Sequence, residues 1–242
     1  MGRLTTWLIL LNVIAFLLVF SAPEPVLNSI FELFSFSSGT SLELWRWVTS
    51  LFLHVSASHL FFNMIGLYFF GKVLEDEVKE QWFLAVYFVS GLLGNFVFMF
   101  TSAAPVAGAS GAVFGVMGAA MLLNPVKRIH LYLFPLPLGI IGITFVIFET
   151  FVLYFQQAEF ANVATVSHVA GILTGAVFAF FNNPKRAMKG VLVLVICVIL
   201  IIVLAPFFGI ITGIGGFILS VIDFVIGIFL YTAAGLLSFI WG

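Results

Sequence analysis

The sequence predicts an all-α polytopic membrane protein, and three observations carry that prediction. Of 242 residues, 63% are apolar and only 8% are charged, where a soluble domain runs at roughly half and a quarter. The apolar residues gather into runs close to the ~20 residues a spanning helix needs. The 9 basic and 10 acidic side chains fall mostly between those runs. So few charges do not solvate the outside of a soluble globule, and a net charge of −1 offers no basic face to nucleic acid. A single cysteine, Cys197, excludes a disulfide framework and a cysteine-rich metal site.

Read between polar breaks, the expected spans lie near 4–21, 57–71, 82–101, 110–124, 129–155, 164–181 and 190–208. A further apolar tract, 209–242, adds one more span or none. The first run is expected to be a retained helix and not a cleaved leader. Only Met1-Gly2-Arg3 precedes it, Pro23 follows Ser21-Ala22, and Phe20 stands where a small side chain is wanted. Residues 22–56 form a long first loop in which Val26, Leu27, Ile30, Phe31, Leu33 and Phe34 alternate with Asn28, Ser29 and Glu32, the pattern of an amphipathic element lying in the interface. The fifth run is overlong, and Pro135, Pro137, Gly139 and Gly142 predict an irregular start to it. A short polar connection is expected at 156–163.

The charges orient the bundle. Arg3, Lys72, Lys79, Lys127, Arg128, Lys185, Arg186 and Lys189 fall on one side if spans alternate, leaving Arg46 with Glu24, Glu32, Glu43 and Glu159 on the other. The positive-inside rule makes the basic side cytoplasmic, with the N-terminus there and the plasma membrane as the expected location. The second, fourth and sixth helices then all begin at the extracytoplasmic face.

Those three helices carry the polar residues that need a reason inside lipid. The second holds His54, His59 and Asn63, the last two on one stripe at i,i+4, with Gly66 continuing it. The fourth opens Gly108-Ala109-Ser110-Gly111, with Phe114 and Gly115 following. The sixth holds Ser167-His168, then Gly171 and Gly175. Gly111/Gly115 and Gly171/Gly175 are small-xxx-small patches that let two backbones approach closely. If the patches face each other, the Ser110 hydroxyl meets the His168 imidazole, and a serine with a histidine base is an activated nucleophile. Ser110 also opens a helix, where unpaired N–H groups favour an oxyanion, and Asn63 and His59 are placed to complete the hole. Taken alone, Gly-x-Ser-Gly is ordinary packing, and a lone histidine serves packing or proton relay equally well. The His54/His59 spacing, without the glutamate of H-E-x-x-H, argues against zinc, so no metal and no cofactor is expected. Neither Glu149 nor Asp223 is placed to orient His168, which predicts a dyad.

In these motifs the chain resembles the rhomboid family of intramembrane serine proteases. Trp45-Arg46 resembles the family's first-loop motif, His54-x4-His59-x3-Asn63 its second-helix signature, Gly108-Ala-Ser110-Gly111 its Gly-x-Ser-Gly, and His168-x2-Gly171-x3-Gly175 its histidine helix. The resemblance implies a rhomboid-like six-helix catalytic core over 1–182, with a C-terminal hydrophobic extension, 183–242, of one or two spans. It implies Ser110 as nucleophile, His168 as general base and then acid, and Asn63, His59 and the Ser110 N–H around the oxyanion. Phe114 matches a ring against the histidine, and Glu75 a structural acid at the cytoplasmic turn. Residue 167 is often alanine in the family and is serine here. The implied activity is hydrolysis of transmembrane protein substrates within the lipid bilayer. The fifth helix, with Phe145, Phe148, Phe151, Tyr154 and Phe155, and the loop at 156–163 are the candidate gate; bulky lipid-facing filler is the competing explanation. Two rivals stand beside this. One is a rhomboid-like pseudoprotease that binds membrane clients without cleavage, the other a channel or transporter using His54, His59 and His168.

Overall fold

A computed structural model describes residues 2–131, 134–156, 158–200, 202–203, 221 and 224, without the side chains of 130, 131, 134, 148–156 and 158–164. Two compact units divide the chain, Met1–Val195 and Ile196–Gly242. In the second unit the described residues are helical, and most of the tract 209–242, with the question of one extra span or two, lies outside the described residues.

In the first unit, helix α1 (Arg3–Phe20) is long and apolar enough to cross a membrane. Its N-cap is Gly2, which has no side chain to offer. A carboxylate from far along the chain does that work: Glu75 accepts from Leu4 N at 2.8 Å, Thr5 N at 2.9 Å and Thr5 Oγ1 at 2.7 Å. A negative group on the positive end of a helix satisfies donors that would otherwise be orphaned. Glu75→Ala is expected to cost about 1–2 kcal/mol, read as a lowered unfolding midpoint in detergent; an unchanged midpoint would mean that water caps α1 equally well.

The first loop contains α2 (Glu24–Phe34), which buries no residue fully, and α3 (Leu44–Thr49). Leu27, Ile30 and Phe31 of α2 are half-buried, while Val26, Leu33 and Phe34 are exposed. This is the amphipathic surface helix the alternation predicts. Arg46 is buried and binds the loop together: Nε donates to Glu43 at 2.8 Å, and Nη1 to the carbonyls of Ser35, at 3.1 Å, and Glu32.

Helix α4 (Ala57–Gly66) opens with Ser56 accepting from His59 N. It runs through a π-helical stretch, Leu67–Gly71, into α5 (Lys72–Glu75). Together with Leu44–Phe52 this forms a pair bent by 90°, apolar and long enough to act as one broken span. Helix α6 (Glu80–Phe98) is a further candidate span. Helix α7 (Ser110–Leu123) has 14 residues, every one buried except Ser110. At ~1.5 Å per residue it is about 21 Å long, short of a ~30 Å hydrocarbon core. A helix wrapped in protein need not match the bilayer in length.

The fifth run departs from the expected 129–155. Residues Arg128–Leu131 (β1) and Phe134–Pro137 (β2) form an antiparallel hairpin, and helix α8 begins only at Leu138, ending at Gln156. The prolines explain it. Leu138 N donates inward to Lys127 O at 2.8 Å, so Pro135 and Pro137, of the opposite parity, sit where β2 needs no donor. The expected connection at 156–163 also differs, because α9 (Ala158–Asn182) begins at Ala158. Ala158, Glu159 and Ala161 favour a helix start, the acid in the first turn included. Residues 184–195 form α10 and close the unit. Its Arg186 binds the basic end together, donating to Glu77 Oε2 and to Asn124 Oδ1, each at 2.8 Å.

Candidate active site

Helices α6, α7 and α9 pack mutually, and glycines let two of them touch backbone to backbone. A Cβ on Gly171 would strike Gly111 O and come within 3.2 Å of Phe114 Cβ; one on Gly175 would strike Gly115 O and reach 2.9 Å from Ala119 N. On the other helix, a Cβ on Gly118 would lie 2.6 Å from Ile172 O. The pairs Gly111/Gly171 and Gly115/Gly175 advance together, so α7 and α9 run parallel. Ser110 and His168 are therefore carried at the same end of one crossing.

The imidazole of His168 is buried and stacked on the Phe114 ring, centroids 4.2 Å apart and planes 4° from parallel. That contact fixes the ring one turn below Ser110, which is half-buried and stays accessible. No side chain caps α7, so its first-turn N–H groups are left for another acceptor.

The turn before Ser110 is held from several directions. Gly108 has φ +142°, open to glycine and strained for other residues. A Cβ there would lie 2.6 Å from His59 Cε1, so the imidazole of His59 covers this glycine. Gly108 N donates to Ser50 O at 2.9 Å, and Ala109 N approaches His54 Nε2 at 3.5 Å. His54 is buried, its ring 5.1 Å from that of His59. Asn63, also buried, donates from Nδ2 to His59 O at 2.9 Å. An amide nitrogen carries two hydrogens, so one donor is left for another acceptor. Behind the helices Phe145 of α8 packs against Phe70 and Phe114, at 6.3 and 6.2 Å between centroids.

The structure thus brings Gly108, Ser110, Gly111, Phe114, His59, Asn63, His54, His168, Gly171 and Gly175 into one region. Residues 41–185 match the Rhomboid domain family model. The chain belongs to the rhomboid family. Among curated relatives, rhomboid protease GlpG of Yersinia pseudotuberculosis is 28% identical over 152 residues, covering 63% of this chain and 53% of that protein. Rhomboid protease GluP of Bacillus subtilis is 30% identical over 149 residues, covering 61% of this chain and 28% of that protein. The GlpG of Serratia proteamaculans is 28% identical over 150 residues, 62% of this chain and 52% of its own. The chain therefore spans about half the length of the GlpG relatives and less of GluP.

Two residues of the rhomboid motifs do not join the cluster. Trp45 is half-exposed and donates to Leu33 O at 3.2 Å, and Arg46 binds the loop as described; both organise the first loop. Among the described residues, no group of three or more His, Cys, Asp or Glu is arranged to hold a metal. The side chains of Phe148, Glu149, Phe151, Tyr154 and Phe155, and those of 156–163, lie outside the described residues, as do Asp223 and the side chain of His130.

Motif reading missed Ser50 and Asn95. Asn95 is a buried amide on an apolar helix, donating from Nδ2 to Ser50 Oγ at 3.0 Å and Trp47 O at 3.2 Å. The same rule that singled out His59 and His168, that polar groups in lipid need a reason, flags it from sequence.

Proposed function

We propose that this multi-pass membrane protein is a serine endopeptidase that hydrolyses a peptide bond in or near the transmembrane helix of another membrane protein. The observation that carries the reading is the glycine-lined crossing of α7 and α9, which bears an accessible serine and a ring-stacked histidine at one end. The names of the curated relatives, rhomboid proteases, support the same reading.

His168 takes the proton from Ser110 as the oxygen attacks the substrate carbonyl, forming a C–O bond and a tetrahedral oxyanion. The N–H groups at the start of α7, the spare donor of Asn63 and an N–H of His59 stabilise that charge. Collapse expels the amine, which leaves with the proton from His168. Water then repeats the sequence on the acyl-enzyme, with His168 as base and afterwards acid. No metal or cofactor enters these steps. The basic clusters at one end of the bundle favour a cytoplasmic N-terminus and a site opening to the extracytoplasmic side of a plasma membrane. On this reading the candidate gate for a substrate helix is either α8 or residues 156–163.

A fluorophosphonate probe tests the chemistry independently of any substrate. The wild-type protein in detergent is expected to be labelled on Ser110, and the His168→Ala protein to be labelled at least about 100-fold more slowly, since general-base activation contributes on that order. Equal labelling of the two proteins, or none of the wild type, would overturn the dyad.

A further inference from the structure

One turn of α6 touches chain neighbours of both halves of the proposed dyad. At Gly94 the carbonyl accepts from Ser167 Oγ at 3.0 Å, and Ser167 immediately precedes His168. A Cβ on Gly94 would lie 3.5 Å from Gly111 Cα and 3.7 Å from Ser167 Cβ, so this turn is wedged between α7 and α9. At Asn95 the side chain holds Ser50 Oγ, and the carbonyl of the same Ser50 accepts from Gly108 N at 2.9 Å. Gly108 lies two residues before Ser110. Asn95, Ser50 and Ser167 are all buried, where each polar group is costly without its partner.

We propose that Asn95 and Ser167 are positioning residues, which together set where the Ser110 hydroxyl stands relative to the His168 imidazole. The inference rests on the protease reading above. Asn95 locks the loop that delivers the nucleophile, and Ser167 locks the helix that delivers the base. Both locks are anchored on adjacent residues of one rigid helix, so the separation of the reacting groups is governed by α6. Small misplacements of a reacting pair cost far more in rate than in stability.

The protein, reconstituted with a single-pass substrate, provides the test. Ser110 labelling by fluorophosphonate is followed to its end point, so that turnover is expressed per active site. Asn95→Ala is expected to lower kcat about tenfold, and Ser167→Ala about threefold, with KM within twofold of wild type and the labelling rate falling in step. Ser167→Thr, which keeps the hydroxyl, is expected to restore most of the loss. A purely structural role would lower the fraction of labelled protein and leave kcat per labelled site unchanged. That outcome, or wild-type rates in both alanine variants, overturns the proposal. If Asn95→Ala does not fold, Ser167→Ala decides alone, because it removes a single oxygen and leaves no sizeable void. A wild type that neither cuts nor labels would instead sink the protease reading itself.

Discussion

Ser110→Ala is expected to leave the protein folded and to lower proteolysis by at least about 10³-fold. On the proposed mechanism the acyl-enzyme needs that hydroxyl, and the oxyanion donors and substrate binding that remain can assist only direct attack by water. The cost to folding is small. Ser110 is half-buried at the first residue of α7 and is not its cap, a position held by Ala109. Removing one oxygen there leaves no sizeable void, so stability should stay within about 0.5 kcal/mol. Cleavage of a reconstituted membrane substrate, read beside the unfolding midpoint of each protein, checks both halves. Full-rate cleavage by the alanine protein would refute the assignment of Ser110.

The second large effect is on the scaffold. Gly175→Ala is expected to cost about 3 kcal/mol or more, at the upper end of what overpacking usually costs. The added methyl would run into Gly115 O and lie 2.9 Å from Ala119 N. Both are backbone atoms of a buried helix and cannot swing aside as a flexible side chain would. The crossing would have to widen, carrying His168 away from Ser110, so activity should fall along with the unfolding midpoint. Gly39→Ala is the matched control, since the nearest atom to its new Cβ is Ser37 Oγ at 3.9 Å, and it should change neither. A Gly175→Ala protein as stable and as active as wild type would show that the α7–α9 contact is looser than its geometry implies.

Membrane class and most of the helix order were legible in the chain, because a bilayer imposes length and apolarity on each span separately. Runs such as 4–21 and 82–101 correspond closely to α1 and α6. The site motifs were legible for a related reason: a serine, two histidines and an asparagine stand out against an apolar background where polar groups are expensive. Legibility failed where local sequence competes with tertiary contacts. Residues 128–137 look apolar enough to extend a span, yet they pair as a hairpin because two prolines suit an outer edge. The role of Glu75 shows the same limit. Its place at a basic end was readable, but its partners, Leu4 and Thr5, lie 71 and 70 residues away in sequence.

By itself, then, the sequence determined that this protein is built of membrane helices and which side chains could do chemistry, since composition, helix period and burial cost act locally along the chain. Only the tertiary structure decided that Gly111 meets Gly171 and Gly115 meets Gly175, and that a single turn of α6 bonds both Ser50, which holds Gly108, and Ser167, which precedes His168. Those facts depend on which backbones approach closely enough to exclude a methyl group, and pairing of that kind arises only when the helices assemble.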